Sequence, residues 1–184
     1  MNNSKSGKGY QLRSGLFVLP EQEKRFVHLT AELQRSLPAR FVMLADAAGQ
    51  VIAARGEYND ANLVMLGSLA AGDLAASQEI ARLTGEYQDY QLILREGQRS
   101  NIFIAEAGSH LILLAQADKE TPLGWARMFI LKTARQLAEA ARQGTPSAQE
   151  IAEMEEELAG ALSEEDEQNL AELFGDALDG LWSE

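Results

Sequence analysis

Apolar positions along the chain change their period several times, and each change marks an element. In residues 21–37, Phe26, Leu29, Leu33 and Leu37 recur at helical spacing between Pro20 and Pro38, which predicts an amphipathic helix. The period then shortens. Residues 41–45 and 51–54 are brief apolar runs on either side of residues 46–50, and they predict two strands joined by a tight loop in which Gly49 takes positive φ. A long helical stretch follows over residues 60–84, with Asn59 or Asp60 as its cap and Gly85 as its stop. Three more short runs, residues 90–94, 102–105 and 111–115, are separated by turn-forming segments and predict a meander. Thr121 as a cap and Pro122 in the first turn open a last helix, with Leu123, Ala126, Ile130, Ala134, Leu137 and Ala141 on one face.

The predicted order is α-β-β-α-β-β-β-α. Five strands in one antiparallel sheet need helices to cover them, and each helix has an apolar face that only another element can bury, so the fold class is an α+β sandwich.

The helix over residues 60–84 has more apolar surface than a sheet requires. Leu63, Leu66, Ala70, Leu74, Ser77 and Ala81 form one stripe suited to packing on a sheet, yet Val64, Met65, Leu69, Ala76, Ile80 and Leu83 fall outside it. Gly67, Ala71 and Ala75 recur every four residues, a spacing of small side chains that lets another backbone approach. A helix that is apolar nearly all round is buried on more than one side. In a body this small the second cover is either another part of the same chain or a second copy, and a symmetric contact needs only one self-complementary patch.

Composition narrows the rest. The chain has 184 residues, 46% apolar, enough for one domain with a core plus an extension. Cysteine is absent, which excludes a disulfide framework, thiolate catalysis and cysteine-ligated zinc and fits the cytoplasm. Lys5, Lys8 and Arg13 are not followed by a long apolar run before Pro20, so no signal peptide is expected; the uncharged apolar stretch over residues 61–72 is too short for the roughly 20 residues of a membrane span. No membrane insertion is expected.

The net charge of −12 is concentrated in residues 145–184, which hold thirteen Asp or Glu and no Lys or Arg. Such a balance repels nucleic-acid phosphate, so no nucleic-acid partner is expected. Gly144, Thr145 and Pro146 mark the change in composition. The chain is therefore read as a basic N-terminal extension (1–19), a folded body (20–143) and an acidic helical tail (144–184). Within the tail, Ser147 and Ser163 each begin a capping pattern, and Leu170, Leu173, Phe174, Leu178, Leu181 and Trp182 line one helical face. That face is suited to docking on the chain's own body or on a partner.

Self-contained chemistry is not expected. His28 and His110 lack metal-ligand spacing, Ser109-His110 has no partner motif for nucleophilic catalysis, and Gly7-Lys8-Gly9 lacks the phosphate-cradling frame. Asp176 to Gly180 lacks the alternating oxygen ligands of a calcium loop. No catalytic residue, metal or cofactor is assigned.

The stretch over residues 41–56, with Asp46, the turn glycine Gly49 and a small-residue second strand, resembles the opening hairpin of roadblock-domain proteins. The order of elements over residues 21–143 is also that of the family, and the chain is most similar to its bacterial branch that regulates Ras-like GTPases of polarity and gliding motility. The resemblance implies a homodimer in which the long helices pair and the following strand, near residues 87–95, joins its twin. The implied dimer interface is Leu63, Gly67, Ala70, Ala71, Leu74 and Ala75 on the helix with Tyr90 and Leu92 on the strand. It also implies a Ras-like small GTPase seated on the paired helices, with Met65, Leu69 and Asp73 as contact candidates and the tail positions Leu170, Leu173, Phe174, Leu178, Leu181 and Trp182 as a second contact surface. In such a complex the catalytic groups belong to the GTPase, whose switch loops the regulator repositions. The alternative is a dimeric adaptor or light-chain-like subunit whose binding ignores nucleotide state.

Overall fold

The computed structural model describes residues 9–57, 62–86 and 91–143. Their elements, in chain order, are β1 (Tyr10–Gln11), β2 (Phe17–Val18), α1 (Pro20–Ser36), β3 (Ala39–Asp46), β4 (Val51–Gly56), α2 (Leu63–Thr84), β5 (Leu92–Glu96), β6 (Ser100–Glu106), β7 (Leu111–Asp118) and α3 (Leu123–Arg142). The five strands β3 to β7 form one antiparallel sheet in the order β4-β3-β7-β6-β5, so the first hairpin and the later meander meet along β3 and β7.

Strand residues alternate between the two sides of the sheet, and two cores result. On one side Val42, Leu44, Phe103, Ala105, Leu111 and Leu113 pack with α1 and α3, through Phe26, Leu33, Ile130 and Leu137. On the other side Phe41, Met43, Ala45, Ile104, Ile112 and Leu114 pack with Ala70 and Leu74 of α2. The central strands are covered on both sides, which is why residues 41–45 and 111–115 are unbroken apolar runs.

Gln22 joins the two helices of the first layer. Its side-chain oxygen accepts from the Leu19 amide (2.9 Å), while its nitrogen donates to the carbonyls of Ala140 (2.9 Å) and Ala141 (3.0 Å). One buried amide thus serves the start of α1 and the end of α3, where backbone groups lack helical partners.

The structure departs from the expected elements at three places. Residues 10–18 form a small antiparallel hairpin with Gly15 at φ 87°, and Leu12, Leu16 and Val18 are buried with α1 and α3. Two strands of two residues each have no period to read, so the pattern is silent there. Asn62 is the cap of α2, its side chain accepting from the Met65 amide at 3.0 Å; the expected caps Asn59 and Asp60 lie outside the described residues. Finally, α3 begins at Leu123 with Pro122 in the cap position and no side-chain cap, so Thr121 does not fill that role.

Tyr10 gives the hairpin a pH signature. Partial burial, the nearby charge of Glu23 and a hydrogen bond with Glu23 raise its pKa above the ordinary 10.0. Because the fold favours the neutral phenol, its stabilisation is complete below about pH 10 and is lost as the pH rises through the raised value. Melting temperatures on either side of that pH are expected to fall further for the wild type than for Tyr10→Phe.

Candidate functional site

α2 is capped at both ends, by Asn62 and by Gly85 at φ 74°, and its two sides have opposite fates. Toward the sheet lie Leu63, Leu66, Ala70 and Leu74. Gly67 is buried on this side too, and the reason is local. The carbonyl oxygen of Gly49 sits where a Cβ on Gly67 would be, and Gly49 itself, at φ 83°, rests against the backbone of Gly67 and Ser68. The backbone that approaches α2 at this small residue therefore belongs to the loop between β3 and β4 of the same chain.

That loop is held from several directions. Asp46 is fully buried, and its carboxylate accepts from the amides of Ala48 (3.0 Å), Gln50 (2.7 Å) and Ser14 (2.9 Å). The Ala47 amide donates to the carbonyl of His110 (2.8 Å), and the Arg13 amide to the side chain of Gln50 (3.2 Å). A buried charge is tolerable where hydrogen bonds replace its water. Asp46 consequently fixes the Gly49 carbonyl against which α2 is seated.

Away from the sheet, α2 is bare. Val64, Met65, Leu69, Ile80 and Leu83 are between 59% and 79% exposed. Met65, Leu69, Gly72, Ala76 and Leu83 follow one another at intervals of four, three, four and seven residues, the spacing of a coiled-coil seam, with Glu79 at the interrupted position. The middle of this seam is its smallest part: Gly72 and Ala76 are exposed, and a Cβ at Gly72 would meet nothing within 4 Å. A second helix has room to cross closely there.

Beside the seam, Arg95 of β5 makes a two-point contact with Asp73, Nη2 to Oδ1 at 2.7 Å and Nε to Oδ2 at 3.1 Å. The hydrogen bond and charge of Asp73 raise the Arg95 pKa further above its ordinary value. This ion pair ties α2 to β5, an edge strand of the sheet. An edge offers unpaired backbone groups to another strand.

The expected interface residues therefore divide. Gly67, Ala70 and Leu74 are buried within the single chain, and Leu63 and Ala71 are half-buried toward the same sheet, because five strands consume that stripe. Only Ala75 of the expected helix set is fully on the surface. Leu92 is half-buried at the start of β5, and Tyr90 lies outside the described residues. Met65 and Leu69 are exposed as expected, whereas Asp73 is half-buried and engaged by Arg95. The tail positions Leu170, Leu173, Phe174, Leu178, Leu181 and Trp182 lie outside the described residues. Sequence reasoning missed Gly72, Ala76 and Arg95; the signal for the first two was the four-three spacing with Met65 and Leu69.

Among the described residues, no helix is long and apolar enough to cross a membrane, and no three or more His, Cys, Asp or Glu side chains form a group that could hold a metal ion. His28 is exposed on α1, with Nε2 3.9 Å from Glu32.

Comparison with known proteins places this geometry. Residues 26–117 match the Roadblock/LC7 domain. A solved structure of MglB with a tetrameric arrangement is 28% identical, with TM-score 0.65, over 73% of this chain and 100% of that one. Myxococcus xanthus MglB is 28% identical, with TM-score 0.60, over 65% of this chain and 96% of its own. The gliding protein MglB from Thermus thermophilus is 27% identical, with TM-score 0.63, over 72% of this chain and 100% of its own. No curated protein matches the sequence.

Proposed function

We propose that this chain, which belongs to the Roadblock/LC7 domain family, is a non-catalytic homodimeric regulator of a small Ras-like GTPase, acting in the cytoplasm in polarity or motility. The observation that carries the proposal is the bare apolar seam of α2 beside an edge strand, in a body similar to MglB over the whole length of that protein. An exposed contiguous apolar stripe is unusual on a monomer and marks a contact surface.

The helices cross at Gly72 and Ala76, and the β5 edges extend the two sheets into one. Val64, Met65 and Leu69, near the amino-terminal ends of the paired helices, remain to receive the GTPase. Its identity as a Ras-like protein comes from the resemblance of residues 41–56 and of the element order to the bacterial GTPase-regulating branch. Regulation works through the partner's own machinery: an apolar platform that favours one switch-loop arrangement shifts the population toward it, and the groups that attack the γ-phosphate remain those of the GTPase. The acidic tail, with Phe174 and Trp182 on its apolar face, is a second arm toward the same partner.

Single-turnover hydrolysis of GTP by the Ras-like GTPase of the same genome tests this reading. Addition of the chain is expected to raise the rate at least tenfold, and Leu69→Asp to remove the effect. An unchanged rate together with equal binding of GTP and GDP forms would assign the adaptor role instead.

A further inference from the structure

The outer side of α3 carries a second apolar patch, on the opposite side of the sheet from α2. Leu123, Trp125 and Met128 are 41%, 44% and 55% exposed. Trp125 is braced edge-to-face against Phe129, with ring centroids 5.2 Å apart at 81°, so it stands as a preset anchor with little rotamer freedom to lose. Gly124 immediately precedes Trp125, and a Cβ there would meet nothing within 4 Å. Glycine is a weaker helix former than alanine, and no packing within the fold requires it at this position. It leaves a notch where another backbone can come close.

The surroundings of the patch are positive. Arg127 and Lys132 are exposed on α3, and no acidic residue occurs on this helix before Glu139. No side chain caps the start of α3 and no acid lies in its first turn, so the positive end of the helix dipole is uncompensated there; Glu120 is the nearest acid before it in sequence. Two copies of this face would repel each other. An anionic bilayer also suits the positive charge, but it brings no backbone to the notch at Gly124.

We infer that the α3 face, through Trp125, Met128 and the notch at Gly124, docks an acidic amphipathic helix of a partner protein, whose apolar side covers the patch while its carboxylates meet Lys132 and Arg127. This surface is independent of the reading given to α2, since it uses neither the seam nor the edge strand.

The probe is a fluorescein-labelled peptide of repeated Leu-Ala-Glu-Leu-Leu-Glu-Ala units, titrated with the full chain by fluorescence anisotropy. Saturable binding is expected, weakened about tenfold by Trp125→Ala with Met128→Ala and by Lys132→Glu. Gly124→Leu fills the notch while favouring the helix, so it should weaken the peptide by a similar factor and leave the melting temperature unchanged or higher. That pairing separates docking from folding. The same peptide with Lys in place of Glu should bind at least tenfold more weakly. Absence of saturable binding, equal affinity for both peptides, or indifference to all these variants would overturn the inference. So would variant-sensitive binding to phosphatidylserine vesicles in place of the peptide.

Discussion

Gly72→Glu is expected to halve the mass of the protein in solution while leaving it folded, and Gly67→Ala to do the reverse. The two glycines lie five residues apart on α2 and face opposite ways. At Gly72 an added side chain enters open space, so the isolated fold loses nothing and the helix gains propensity of about 0.5–1 kcal/mol. A second helix crossing there would be pushed off by both the bulk and the charge. At Gly67 an added Cβ collides with the Gly49 carbonyl, and that loop is tethered by Asp46, Ser14 and His110, so it has little room to give. The net loss should be about 1–3 kcal/mol, as for other overpacked sites. Light scattering combined with thermal melting separates the outcomes. A Gly72→Glu protein of unchanged mass would remove the seam from the interface.

Asp46→Ala should be the most damaging single substitution outside the apolar core. It deletes a fully buried carboxylate and leaves three amide donors, those of Ser14, Ala48 and Gln50, without that acceptor. The three donors are part-buried, so water replaces some of the lost bonds, and the loss is roughly 2–3 kcal/mol in total. For a chain of this size that lowers the melting temperature by about 10 °C. Asp46→Asn keeps one acceptor oxygen and should recover part of the loss. Denaturant titration measures both. A loss below about 1 kcal/mol for the alanine variant would mean that the loop does not depend on this carboxylate.

These two sites also show how much the sequence made legible. Long elements were readable because their apolar residues repeat often enough to define a period: Phe26, Leu29 and Leu33 for α1, and Ala126, Ile130, Ala134 and Leu137 for α3, all reach the core as expected. The paired runs around Asp46 and Gly49 were readable because a turn residue separates two apolar segments, and they form β3 and β4. The hairpin at Tyr10–Val18 was not, since its buried Leu12 and Leu16 flank a turn with almost no strand on either side.

In the candidate site, the excess of apolar residues on α2 was evident, but their allocation was not. Spacing alone cannot distinguish a small residue that admits a loop of the same chain, as Gly67 does, from one that admits another molecule, as Gly72 is proposed to do. The difference depends on where residues 46–50 fall in three dimensions. Likewise Asp73 reads as an exposed charge in sequence, and only the return of the chain through β5 brings Arg95 against it.

The central claim is that the outer face of α2 recognises a Ras-like GTPase in one nucleotide state. Calorimetric titration of the full chain with that GTPase, loaded with a non-hydrolysable GTP analogue or with GDP, tests it most directly, with Leu69→Asp measured in parallel. The account predicts binding at least tenfold tighter for the GTP-analogue form and its loss in the variant. Equal affinity for the two forms, or full binding by Leu69→Asp, would contradict it.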